Sequence, residues 1–215
     1  MTWRAALAVV ALSAAAAGAA APPSLSDEDL RRVDHGATVV QRRAVDGYPW
    51  PEVITYRRSA AAPVAIMAVY ADFAAQSSWV PELVESRVLA REAANVFRVF
   101  YEYEVAGPNE RYTVVVRLAR DGDTWHARWT FVTARYARRL EGSLRALPRG
   151  EGSLLVYASL VDPGTLGVTL GTPDSVARRL AGTTEALATR TERLLAGDPR
   201  RLAALVEQLT AATDR

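Results

Sequence analysis

Between residues 97 and 131 aromatic side chains recur at even spacing within each segment: Phe97, Tyr101 and Tyr103 in one, Tyr112 in the next, and Trp125, Trp129 and Phe131 in the third. Side chains two apart share one face of a strand, so each set gathers on a single surface. A phenol there can hydrogen-bond a ligand carbonyl or hydroxyl, and an indole offers a broad apolar plane with one N–H. That chemistry holds and orients a molecule rather than cleaving it. The same rings also suit a plain core with hydroxyls at its edge, and sequence leaves both readings open.

Residues able to break bonds are scarce. The two histidines, His35 and His126, lie far apart, and there is no cysteine, so no metal site is expected. His126 alternates with Thr124 and Arg128 and belongs on a wet face; His35 ends a short helix and is placed to cap it. Ser143 and Ser159 fall within strands, without a G-x-S-x-G elbow. The run LGVTLGTP lacks the lysine and the spacing of a phosphate loop. No catalytic residue and no cofactor is implied.

The elements that position the rings follow from periodicity. Ser26 caps a short helix whose first turn holds Asp27, Glu28 and Asp29. Strands are expected over 37–45 and 53–60, and an amphipathic helix over 63–75 with Pro63 at its first position. The segment DFAAQSSWVPEL carries Trp79 just past that helix, either plugging the end of the core or touching a ligand. A strand over 85–89 follows, then alternating segments at 95–105, 111–119, 124–132, 138–147 and 153–161. Turn residues join them tightly, which makes an antiparallel meander.

Phe97, Val99, Tyr101, Tyr103 and Val105 share the inner face of their strand. Tyr112, Val114, Val116 and Leu118 follow, then Trp125, Ala127, Trp129 and Phe131, then Leu140, Gly142, Leu144 and Ala146. Opposite them stand Arg98, Glu102, Arg111, Arg117, Arg128 and Arg145, with ion pairs expected between strands. The last strand is apolar on both faces. A glycine- and proline-rich stretch, 162–173, reads as a connection or a gate. A long helix then runs over 173–195 with Leu180, Thr183 or Thr184, Leu187 and Thr191 on its buried stripe. Those threonines either bond back to carbonyls four residues earlier or form a mildly polar wall. A last helix over 199–213 docks on the domain or holds a partner.

Composition bounds the rest. Every base is arginine, and acids nearly balance bases (24 against 26), interspersed along the chain. That is a solvated surface, and no nucleic-acid partner is expected. Residues 1–21 read as a secretory signal, with one arginine before an alanine-rich apolar run; the chain is therefore expected to be exported, periplasmic or secreted. A retained anchor is the alternative. Residues 22–196 form one domain and 197–215 a helical tail.

The order of elements, and the stretch ITYRRSAAAPVAIMAVYADFAAQSSWVPELVESRVL (54–89) in particular, resembles the START-like (SRPBCC) superfamily. That superfamily includes polyketide cyclase/dehydrase-like and coenzyme Q-binding proteins. The resemblance implies an α+β helix-grip fold, a curved antiparallel sheet wrapped on a long C-terminal helix. It also implies a hydrophobic cavity between the two that holds an apolar small molecule, a lipid or isoprenoid. On that basis the expected ligand contacts are Trp79, Phe97, Tyr101, Tyr103, Tyr112, Trp125, Trp129, Leu166, Thr184 and Leu187. Binding is expected ahead of catalysis, with transient membrane contact as a further expectation. A cyclase/dehydratase- or hydrolase-type enzyme, or a ligand-free envelope interaction module, are the alternatives.

Overall fold

The computed structural model describes residues 24–105 and 107–213. The expected signal segment lies outside them. Helix α1 (Asp27–Asp34) starts at Ser26, whose hydroxyl accepts the Asp29 N–H, and ends at His35, whose ring nitrogen Nδ1 lies 2.7 Å from the Arg31 carbonyl. Strands β1 (Val39–Arg43) and β2 (Glu52–Ser59) precede helix α2 (Pro63–Ala71) and a 3₁₀ turn over Phe73–Ser78. The meander follows as β3 (Leu83–Ala93), β4 (Val96–Tyr103), β5 (Glu110–Asp121), β6 (Thr124–Ala134), β7 (Arg139–Arg149) and β8 (Gly152–Asp162). Three helices close the chain: α3 (Gly164–Leu170), α4 (Pro173–Gly197) and α5 (Pro199–Thr213).

All eight strands make one antiparallel sheet in the order β1-β2-β8-β7-β6-β5-β4-β3. The crossover from β2 through α2 to β3 therefore spans the sheet from one side to its far edge. Val99, Val114, Val116, Leu118, Ala127, Leu144 and Ala146 are buried on the inner face, as alternation requires. On the outer face Arg111 and Glu102, register partners, form an ion pair at 2.9 Å. His126 stands on that face too, its pKa lowered by burial and then by the Arg145 charge beside it. The double apolarity of β8 has a cause: Leu155 and Tyr157 face the main core, while Val156 and Ala158 pack with Ile54, Tyr56 and Val33 of α1. Helix α1 covers the back of this end of the sheet.

Two expectations change. Helix α2 is not amphipathic, for every residue from Ala65 to Tyr70 is buried. The sheet and α4 take its inner sides, and α5 lies along the outer one through the buried Leu202 and Leu209. The helix also stops earlier, at Ala71, because the chain winds there into the 3₁₀ turn. That turn is fastened by the Gln76 side-chain amide, which donates to the Tyr70 carbonyl at 2.7 Å, and by the Ser86 hydroxyl, which donates to the Phe73 carbonyl. Among the described residues no helix is long and apolar enough to cross a membrane.

Candidate ligand-binding pocket

The inner face of the sheet is covered along only part of its length. At one end α2 fills the space, with Phe73, Ile66 and Met67 fully packed. At the other, between β4–β8 and the first half of α4, a pocket of about 730 Å³ remains. Its sheet wall is built by strand alternation: Tyr101 and Tyr103 from β4, Tyr112 and Val114 from β5, Trp129 from β6, Leu140 from β7, Tyr157 and Ser159 from β8. Leu180, Thr183 and Leu187 of α4 face them, and Tyr70, Gln76 and Trp79 close the end toward α2.

The rings contact one another edge and face. Tyr101 and Tyr112 centroids are 5.4 Å apart, Tyr103 stacks on Tyr112 at 5.9 Å and 8°, and Trp129 leans on Tyr157 at 5.1 Å. Trp129 can lie so close to the sheet because its cross-strand neighbour is Gly142; a Cβ there would sit 2.3 Å from the indole. Burial pushes the Tyr70, Tyr101, Tyr112 and Tyr157 phenols well up, and Tyr103 up to about 12. All five therefore keep their protons near neutral pH and remain hydrogen-bond donors.

The open side of the pocket is charged, which the sequence reading missed. Glu82, Glu104, Glu110 and Arg179 line it. Arg179 Nε meets Glu82 at 2.7 Å, a second nitrogen donates to the Glu104 carbonyl at 3.1 Å, and the guanidinium lies 5.3 Å over the Tyr103 ring. Glu82 has φ 61°, the left-handed region that a non-glycine side chain rarely adopts. Glu110 is half-buried; its Oε1 accepts the Arg135 and Tyr136 N–H groups at 3.1 and 3.3 Å. Burial raises its pKa, and those two donors pull it part of the way back. Parity could have found Glu110, which stands two residues before Tyr112 on the same face. Arg179 and Glu82 had no such signal, since one lies at the edge of a helical stripe and the other in a turn.

Trp79, Tyr101, Tyr103, Tyr112, Trp129 and Leu187 come together at this pocket. Four other expected contacts stand away from its wall. Phe97 and Trp125 are on the correct face but too far along their strands: Phe97 packs on Phe73 at 5.4 Å, and Trp125 is 2% exposed in the core. Leu166 is 63% exposed, because the stretch 162–173 is not a loop throughout but winds into α3, which turns Pro163 and Gly167 inward. Arg138 holds α3 through the Thr165 hydroxyl at 2.7 Å. Thr184 lies beneath the wall, bonded to Thr55 at 2.6 Å and to the Leu180 carbonyl at 2.8 Å. The threonines thus divide between the two readings: Thr184 and Thr191 bond back to carbonyls four residues earlier, and Thr183 lines the pocket. Trp79 likewise does both things, half-buried against the core and lining the pocket, while Pro81 after it reaches α4 beside Gly182. Among the described residues no cluster of three or more His, Asp or Glu could hold a metal ion.

An antiparallel sheet gripping a long C-terminal helix, with a pocket between, can be compared with solved structures. The chain has the START-like helix-grip fold. A STAR-related lipid transfer protein from Xanthomonas axonopodis superposes with a TM-score of 0.62 at 20% identity, covering 73% of this chain and 98% of that one. Human STARD10 gives 0.64 at 13% identity, with 87% and 88% covered. A Streptomyces aromatase/cyclase gives 0.52 at 22%, with 68% and 97% covered. These identities carry the fold and no more. No family model and no curated protein matches the chain.

Proposed function

We propose that this chain binds an apolar small molecule, a lipid or isoprenoid-like compound, in the pocket between sheet and α4. One observation carries the reading. A volume of about 730 Å³ stays unfilled among six tyrosines and three tryptophans, Trp50, Trp79 and Trp129, while Ile66, Met67 and Phe73 pack the end of the inner face under α2. That size suits a ligand of lipid or drug-like dimensions, and aromatic walls with a few polar groups are typical of such sites. The driving force is removal of the ligand's apolar surface from water, with hydroxyls setting its orientation. The lipid-transfer name of one structural neighbour supports the reading. In this proposal the protein is exported, and α3 is the doorway: Leu166 and Val168, exposed beside the pocket, meet a membrane surface transiently while cargo passes.

The test is native mass spectrometry of the gently purified mature protein, followed by organic extraction. A bound apolar species lost on extraction, and absent from Trp129→Ala, supports the reading. A clean ligand-free mass, with no uptake from an added lipid extract, overturns it. Glu110 favours a second reading, an enzyme of cyclase/dehydratase type. A carboxyl with a raised pKa on the wall of an aromatic pocket can pass a proton to a bound carbonyl. Conversion of the extracted ligand by wild type, but not by Glu110→Gln, decides for that alternative.

A further inference from the structure

Six phenols line the pocket, and five of them come from four elements: Tyr70 on α2, Tyr101 and Tyr103 on β4, Tyr112 on β5 and Tyr157 on β8; the sixth, Tyr136 after β6, donates to the Pro108 carbonyl at 3.1 Å. They stand close enough to perturb one another's ionisation, Tyr70 with Tyr157, Tyr101 and Tyr103, and Tyr112 with Tyr103 and Tyr157. Tyr70 is only 5% exposed, yet among the described residues its hydroxyl has no hydrogen-bond partner, and neither does that of Tyr157. Both side chains line the pocket, so each hydroxyl is free to bond water or a ligand there. Tyr103 and Tyr112 bond one another and Tyr101 meets Gln76, so Tyr70 and Tyr157 are the donors left for a ligand oxygen.

The rim adds a charge condition. Three carboxylates, Glu82, Glu104 and Glu110, line it with one guanidinium. Arg179 is already engaged by Glu82, the Glu104 carbonyl and the Tyr103 ring. Arg135 stands beside Glu110 but donates to the Asn109 carbonyl at 2.8 Å. The tyrosines offer hydrogen bonds and no positive charge, so an anion entering here finds like charge at the rim and no counter-ion inside.

We propose that the pocket selects a neutral ligand carrying an acceptor oxygen, a hydroxyl, ketone or ester on an apolar body, and rejects the carboxylate of the same body. This deepens the binding reading above and rests on it. The oxygen lies among Tyr70, Tyr101 and Tyr157, and the apolar body packs along Trp129, Val114 and Leu140.

Four probes with the same chain separate the parts: tetradecane, 1-tetradecanol, tetradecanoate and tetradecylamine, titrated into the delipidated full mature protein at pH 7.5 with native mass spectrometry as readout. The expected order puts the alcohol first, at least tenfold tighter than tetradecanoate. Tyr70→Phe/Tyr157→Phe lowers alcohol affinity roughly three- to tenfold, as one lost hydrogen bond would, and leaves tetradecane uptake unchanged. Glu110→Gln narrows the gap between alcohol and carboxylate. Equal binding of alcohol and hydrocarbon overturns the role of the tyrosines. Tetradecanoate binding as well as the alcohol, or the amine binding better, overturns the selection of a neutral head. Uptake of none of the four, hydrocarbon included, overturns the binding reading itself.

Discussion

Adding one methyl group at Gly142 tests how the pocket wall is built. In β7 this glycine faces Trp129 of β6 across the ladder, and the indole lies over its α-carbon. A Cβ placed there would stand 2.3 Å from Trp129 Cζ2, 2.6 Å from Cε2 and 2.3 Å from the Ala158 carbonyl oxygen. The indole can shift only by crowding Tyr157, whose ring centroid is 5.1 Å distant, or by moving into the pocket it lines. The carbonyl belongs to β8, and moving it strains the β7–β8 pairing. Overpacking of this kind costs about 1–3 kcal/mol, and a backbone atom among the clashes places Gly142→Ala at about 2–3. For a domain of this size each kcal/mol lowers Tm by about 2–4 °C, so a loss of about 5–10 °C is expected in a thermal melt followed by circular dichroism. Tryptophan fluorescence should report the displaced indole. Gly197→Ala is the control, because no atom lies within 4 Å of its added Cβ and the residue is helical; it should melt at or a little above wild type. A Gly142→Ala protein melting within a degree of wild type, with unchanged fluorescence, would refute the account of the wall.

Four further substitutions probe the pocket and the packing of the helices. Thr184→Val removes the 2.6 Å bond to Thr55 and should cost about 1 kcal/mol by denaturant titration, whereas Thr191→Val, which loses only a local bond to Leu187, should be nearly neutral. Glu110 has its pKa raised above the ordinary 4.5 by burial, so the folded protein binds that proton more tightly than the unfolded chain does. Its favourable contribution is present below pH 4.5 and lost as pH rises through the folded value. The stability of Glu110→Gln relative to wild type should therefore grow from about pH 4.5 toward neutrality and then level off, and a pH-independent difference would contradict this. Leu209→Ala on α5, a residue 3% exposed, should cost about 2–4 kcal/mol in a single cooperative transition, whereas a tail that merely rests on the domain would melt separately.

The fold was legible because its signals are local and repeat. Alternation placed Val114, Val116, Trp129 and Leu144 on the inner face, and short glycine-containing turns joined their strands as hairpins. The misreading of α2 had a non-local cause. Ile66, Val69, Tyr70 and Phe73 do recur at helical spacing, but Ala65, Met67 and Ala68 between them are also apolar enough to bury once α5 arrives, and α5 lies more than a hundred residues later. A two-sided strand posed the same problem in β8, where both faces read as inner until α1 was seen to cover the back.

The pocket was half legible, for a geometric reason. Period-2 spacing names the face of a strand but not how far along it the covering helix leaves a gap. Phe97 and Tyr101 have equal claims by parity, and Trp125 and Trp129 likewise; the position of α2 alone makes the first of each pair core and the second wall. Helical periodicity resolves neighbours no better. Thr183 and Thr184 differ by 100° around α4, and that rotation sends one hydroxyl to the pocket and the other to Thr55. The charged rim lay beyond the reach of either period. Glu82 depends on a left-handed turn, and Arg179 is committed by a partner 97 residues away. A search for apolar faces finds the walls that hold a ligand's body and passes over the residues that choose its head. The rim is therefore where substitution should change selectivity with least effect on the fold, since Glu82 and Arg179 are partly exposed and their ion pair contributes little to stability.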